Sequence, residues 1–179
     1  IGVVDDAGRP LPAGERGELL VRGTSLFVGY WNRPEVDAEV FVDGWFRTGD
    51  LGILRDDGHL ALTGRLKDVI IRKGENTSAK EAEDLLFTHP KVADVAVIGL
   101  PDEDRGERVA AVVERAEGVD DLTFAEMSAH LNAAGLMTRK IPEQLEVVEA
   151  LPRNETLRKV LKFKLRETYA DVPWTPEPR

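Results

Sequence analysis

The chain has no cysteine and only three histidines. Without cysteine there is no disulfide scaffold, no thiol nucleophile and no thiolate-ligated zinc or iron–sulfur centre. A chain free of disulfides fits a reducing compartment, and a cytoplasmic location is the expectation. His59, His89 and His130 are scattered, with none of the short spacings of a metal site. No serine stands in a Gly-x-Ser-x-Gly nucleophile elbow. Long apolar runs are missing too. Val95-Ala96-Val97-Ile98 is strand-sized, far short of the roughly 20 residues that span a bilayer as a helix, so no membrane span is expected. Positive charge is outnumbered, 24 Lys and Arg against 33 Asp and Glu, giving a net charge of −9. That balance argues against general nucleic-acid binding, which calls for a basic face.

What is present is an ordinary apolar fraction, 42% of 179 residues, enough for one modest core or two small ones. The chain starts at Ile1 with neither an initiator methionine nor a signal sequence and runs at once into strand-like Val3-Val4, so an interior stretch of a longer gene product is expected. Up to about residue 65 it reads as short strands and turns: Val3-Val4, Gly17 to Gly23, and a hairpin from Leu51 to Thr63 around Asp56-Asp57-Gly58. One brief helix over Pro34–Val40 interrupts them, with proline in the first turn.

From residue 66 the pattern changes to alternating strands and helices. Strands are expected at Lys67–Arg72, Val92–Ile98, Arg108–Glu114 and Leu145–Val148. Ser78 with Glu81, and Thr123 with Glu126, have the capping-box spacing of a helix start; Gly135 would end the second helix, and a last helix fits Val160–Tyr169. The expected fold is therefore α+β: a β-rich portion over 1–65, a small lobe over 66–172 with a short sheet covered by two helices, and an irregular proline-rich tail over 173–179. One segment runs against the overall charge. Arg153, Arg158, Lys159, Lys162, Lys164 and Arg166 face only Glu155 within 153–166, so that tail is expected to approach an anion.

Four motifs recur in order: Gly17-Glu18-Leu19-Leu20-Val21-Arg22-Gly23, Gly29-Tyr30-Trp31, Trp45-Phe46-Arg47-Thr48-Gly49-Asp50-Leu51-Gly52, and Gly64-Arg65-Leu66-Lys67-Asp68. Taken alone, an aspartate after Thr-Gly reads as a turn residue, and an isolated arginine as one half of a surface ion pair. Together, the motifs resemble the C-terminal part of the adenylate-forming superfamily, which contains AMP-forming acyl- and aryl-CoA synthetases, peptide-synthetase adenylation domains and luciferases. The resemblance implies that residues 1–65 end a large N-terminal domain and that 66–172 form its mobile lid. It implies that Asp50 accepts both ribose hydroxyls of ATP or AMP, as an ionised carboxylate can, that Arg65 contacts the nucleotide, and that Lys67 is the hinge of the lid. Lys73-Gly74-Glu75 matches the loop that enters the active site for thioester formation with CoA. The stretch Lys67-Asp68-Val69-Ile70 favours a CoA ligase over a peptide-synthetase domain.

The family's last motif, Pro-Arg-x-x-Thr/Ser-Gly-Lys-Val/Ile, is irregular in this chain. In Pro152-Arg153-Asn154-Glu155-Thr156-Leu157-Arg158-Lys159-Val160 the glycine is replaced and one residue is added. Aligned backward from Val160-Leu161-Lys162, the catalytic lysine is Lys159; aligned forward from Thr156, the position falls to Arg158. The longer downstream match favours Lys159.

The implied reaction joins a carboxylic acid to CoA, by way of an acyl-adenylate made from ATP. Loading of a carrier protein and a non-catalytic binding lobe are the alternatives. The phosphate-binding loop, the ligands of Mg2+ and the acyl pocket of the family are not in this sequence. The chain alone is therefore expected to be inactive.

Overall fold

The computed structural model describes residues 1–172 and Trp174. Apart from Trp174, the tail expected at 173–179 lies outside the described residues. The chain forms two compact units, Ile1–Lys67 and a second beginning at Asp68. Both are mixed α and β. Among the described residues, no helix is long and apolar enough to cross a membrane.

The first unit is an antiparallel sheet of β1 (Gly2–Val4), β2 (Arg16–Val21), β3 (Phe41–Val42), β4 (Trp45–Leu54) and β5 (Leu60–Arg65), with one short helix, α1 (Pro34–Val40). Strand β4 is central, pairing with β2, β3 and β5. Its buried centre is small: Val3, Val4, Leu19 and Leu51. Phe27, Tyr30, Phe41 and Phe46 add an aromatic cluster with ring centroids 5.1–5.4 Å apart, within the range of favourable edge contacts.

The second unit has β6 (Val69–Arg72), β7 (Glu75–Ser78), β8 (Val92–Asp102), β9 (Gly106–Arg115) and β10 (Gln144–Val148), with α2 (Ala79–Leu86), α3 (Phe124–Ala133) and α4 (Lys162–Tyr169). Strand β9 pairs antiparallel with β8 along its length and parallel with β10, and meets β6 at Arg72 and Gly106. The near-continuous apolar runs of β8 and β9 follow from burial on both faces. Val95, Val97, Val109, Ala111 and Val113 pack with Ala79, Ala82 and Leu86 of α2 and Met127 and Leu131 of α3. The alternate residues Ala96, Ile98, Leu100, Ala110 and Val112 pack with Leu165 of α4. Three helices thus cover the sheet, where periodicity suggested two, because α4 takes the second face.

Two helix starts differ in kind. Thr123 and Glu126 form the complete capping box, each side chain satisfying the other's backbone N–H. Ser78 is the N-cap of α2 but makes no side-chain capping bond. The Glu81 carboxylate accepts instead from Lys140 Nζ at 2.6 Å, so the expected box is replaced by a tertiary ion pair. The last helix begins two residues later than expected, at Lys162, because Val160 is held in a bridge to Arg153.

Candidate functional site

Asp50 does not lie in a turn. It sits in the middle of β4, and its cross-strand partner is Arg65 of β5. Arg65 Nε donates to Asp50 Oδ1 at 2.8 Å. Two irregularities of register surround the pair. Opposite Leu19, β4 carries three residues, Thr48, Gly49 and Asp50, and a second shift separates Leu51 from Gly52. Bulges of this kind re-aim side chains. Gly49 takes φ +68°, a left-handed conformation that costs an L-residue roughly 1–2 kcal/mol and glycine little. Thr48 closes the bulge: its hydroxyl donates to Leu19 C=O at 2.9 Å and accepts from Asp50 N–H at 3.0 Å. Sequence reasoning passed over Thr48 because its position in Thr-Gly-Asp says nothing about which strand its hydroxyl reaches.

Both members of the pair are partly open to solvent, so their attraction is worth only about 0–1 kcal/mol. A ligand can compete with a bond that weak. Among the described residues, Asp50 Oδ2 has no hydrogen-bond partner, leaving one carboxylate oxygen able to accept from a hydroxyl. Beside the pair is a shallow recess of about 350 Å³ lined by Thr48, Gly49, Arg65, Leu66 and Lys67. One strand further in, Glu18 is buried and held by Arg47 Nε at 3.1 Å. The hydrogen bond that Arg47 donates to Glu18 raises the Arg47 pKa above its usual value, keeping that buried carboxylate compensated.

Lys67 is exposed in a single 3-10 turn, Leu66–Asp68, and is the last residue of the first compact unit. Lys73 and Gly74 are the two central residues of the β6–β7 hairpin, closed by Arg72 opposite Glu75. With φ of +50° and +77°, they have the doubly left-handed turn that suits the twist of a two-residue hairpin. The segment after Gly74 is therefore a strand before it becomes a helix. Lys73 N–H donates to Arg105 C=O at 2.8 Å, and Glu75 pairs with Arg139 at 3.1 Å.

The irregular motif folds as a tight turn closed by the Arg153–Val160 bridge. Asn154 N–H donates to Lys159 C=O at 3.0 Å, and Asn154 Oδ1 accepts Lys159 N–H at 2.8 Å. Arg158 has φ +56°, the left-handed conformation that glycine adopts most easily. Arg158 is thus a position that glycine would suit, and Lys159 is the residue that follows it. Both side chains are exposed.

The basic segment is less available than its composition suggests. Arg153 is spent on Asp94 and Glu114, Lys162 on Asp68 and Glu83, and Arg166 on Asp68. Among the described residues, only Arg158, Lys159 and Lys164 of the six cations form no ion pair. The scattered histidines also differ from expectation, since His89 and His130 meet edge to face with ring centroids 4.9 Å apart. Burial, followed by the neighbouring His130, lowers the His89 pKa. No group of three or more histidines and carboxylates among the described residues could hold a metal ion.

Residues 81–158 match the model of the AMP-binding enzyme C-terminal domain. Over 168 residues the chain is 41% identical to the medium-chain fatty-acid–CoA ligase of Escherichia coli (strain K12), covering 93% of this chain and 30% of that protein. It is 41% identical over 151 residues to the salicyl-AMP ligase/salicyl-S-ArCP synthetase of Mycobacterium tuberculosis, covering 84% of this chain and 26% of that protein. The crystal structure of ATP-bound MatB from Rhodopseudomonas palustris superposes with a TM-score of 0.87 at 40% identity, over 96% of this chain and 34% of that one. The chain thus spans about a third of the length of the relatives it matches.

Proposed function

Because the chain belongs to the adenylate-forming enzymes and carries their AMP-binding C-terminal domain at residues 81–158, we propose that it is the C-terminal part of an ATP-dependent, AMP-forming acid–CoA ligase. The observation that carries this reading is the Asp50–Arg65 cross-strand pair, flanked by a register shift on each side and beside an open recess. In this reading Asp50 accepts the ribose hydroxyls and Arg65 contacts the nucleotide. Lys67 is the hinge, and Lys73, Gly74 and Glu75 approach the pantetheine arm of CoA.

Lys159 supplies positive charge while the carboxylate attacks the α-phosphorus and pyrophosphate leaves. The CoA sulfur then attacks the acyl carbon, and AMP leaves. Cations placed where negative charge develops are worth about 10²–10³-fold in rate. The left-handed Arg158 supports Lys159 over its neighbour as that cation. In this reading the ligands of Mg2+ lie in parts of the enzyme outside this chain. A fatty acid is the first substrate class to test, in keeping with the name of the Escherichia coli relative.

The test uses the intact protein. AMP release that depends on both CoA and a fatty or aryl acid supports the reading. Release only with a phosphopantetheinylated carrier transfers it to carrier loading, the reading that the name of the Mycobacterium relative favours. Adenylation that survives both Lys159→Ala and Arg158→Ala would make the second unit a non-catalytic lobe. The 179-residue chain alone is expected to release no pyrophosphate from ATP and an acid.

A further inference from the structure

Four charged side chains around Asp68, the start of the second unit, form a continuous chain of ion pairs that the roles above leave unused. Asp68 Oδ1 accepts from Arg166 Nη2 at 3.2 Å, and Asp68 Oδ2 faces Lys162 Nζ at 3.6 Å. Lys162 Nζ lies 2.8 Å from Glu83 Oε1, and that same oxygen accepts the Val97 N–H at 2.7 Å. Two carboxylates balance two cations. The Asp68 and Lys162 side chains are each only 18% exposed, so the network is screened far less than a surface pair. Lys162 and Arg166 stand four residues apart on α4, which puts both on the face that reaches Asp68.

The consequence lies in what the network joins. Asp68 is the first residue of the second unit, Glu83 is on α2, Val97 is in the buried centre of β8, and Lys162 begins α4. The turn that bears Lys159 is anchored just after its end by Lys162. At its beginning, Arg153 is held on Asp94 at 2.5 Å and Glu114 at 3.3 Å. The residue that follows Lys67 and the turn that carries Lys159 are thus fixed to one core.

We propose that Asp68 is a positioning residue, locking the chain immediately after the hinge to α4 and β8 so that torsional change is confined to Lys67 and Lys159 travels as part of a rigid body. The inference rests on the hinge assignment of the preceding section. Hinges absorb their motion at a few residues when the chain on either side is held firmly.

The experiment compares Asp68→Asn, Arg166→Met and the double variant, in the intact protein and in the 179-residue chain. In the intact protein both half-reactions, pyrophosphate exchange and transfer from preformed acyl-adenylate to CoA, should lose about 10–100-fold in kcat, the scale of a small misplacement. The KM for ATP should stay within about twofold, because Asp50 and Arg65 are untouched. In the chain, amide exchange over residues 66–70 should speed up about tenfold while the core strands keep their protection. The double variant should add little to either single change.

Unchanged exchange over 66–70 overturns the proposal, as does a fall in kcat that only tracks loss of folded protein. Arg166→Met supplies the same readouts if Asp68→Asn does not fold. If the intact wild-type protein makes no acyl-adenylate from any acid, the functional reading fails, and the exchange measurement still decides the role of Asp68.

Discussion

Replacing Arg158 by glycine separates the two candidate cations by backbone energetics as well as by activity. Arg158 holds φ +56°, which costs an L-residue roughly 1–2 kcal/mol. Glycine removes that strain, but its freer unfolded chain returns about 0.5–1 kcal/mol. The Arg158 side chain forms no ion pair among the described residues, and the bond that its carbonyl accepts from Arg153 Nη1 at 3.1 Å survives the substitution. Arg158→Gly should therefore leave stability unchanged or raise it by up to about 1.5 kcal/mol, read as a denaturation midpoint of the chain. Arg158→Val should destabilise relative to wild type, because a β-branched side chain in this conformation is strained beyond what Arg158 already bears.

In pyrophosphate exchange by the intact protein, Arg158→Gly should stay within about threefold of wild type, while Lys159→Ala should lose about 10²–10³-fold. The reverse order of activities would make Arg158 the cation. A destabilising Arg158→Gly would refute the claim that this residue occupies a glycine position.

The motifs picked out the proposed nucleotide grip as a set of residues but not as a geometry. Thr48-Gly49-Asp50 reads as a turn because Gly and Asp are turn formers, and local spacing cannot show that the segment is stretched between β2 and β5. Its form depends on Thr48 reaching Leu19, 29 residues away. The strands of the second unit were legible for the opposite reason. In β8 and β9 both alternating sets of residues are apolar, since each has its own helical cover, and a run of that kind needs no knowledge of its partners. The cover itself was only half legible. Helix α4 buries a single residue, Leu165, and its other faces carry the lysines and arginines that made the segment look like an anion-binding tail. Composition counts charges but cannot pair them, and Asp68, Glu83, Asp94 and Glu114, which neutralise half of that segment, lie 39 to 98 positions away in sequence. Arg158 was ambiguous because the added residue shifts the alignment, and local spacing does not reveal the φ angle that favours it as the glycine-like position.

Further expectations concern the hairpin, the α3 cap and the bulge. Gly74→Ala meets no atom within 4 Å, so its cost is purely that of φ +77°; a loss of about 1–2 kcal/mol in chemical denaturation is expected, and a neutral result would exclude a left-handed hairpin turn. The hydrogen bond from Lys91, followed by those from Thr123, lowers the Glu126 pKa to about 2. A carboxylate depressed in this way contributes stability that is present above its usual 4.5 and is lost as pH falls through about 2. Glu126→Gln should therefore flatten the fall in stability across that acid window, and an unchanged slope would remove Lys91 and Thr123 as the cause. Thr48→Val keeps the shape of the side chain but loses the hydroxyl that bonds both Leu19 C=O and Asp50 N–H. Leaving those groups unmatched costs about 1–3 kcal/mol where water cannot replace the hydroxyl. That loss falls on the bulge that aims Asp50, so nucleotide KM in the intact protein should rise by about 5–100-fold. Thr48→Ser should restore most of it, because the two bonds need an oxygen and not a methyl group. Equal losses in the serine and valine variants would mean that packing, and not the hydroxyl, shapes the bulge.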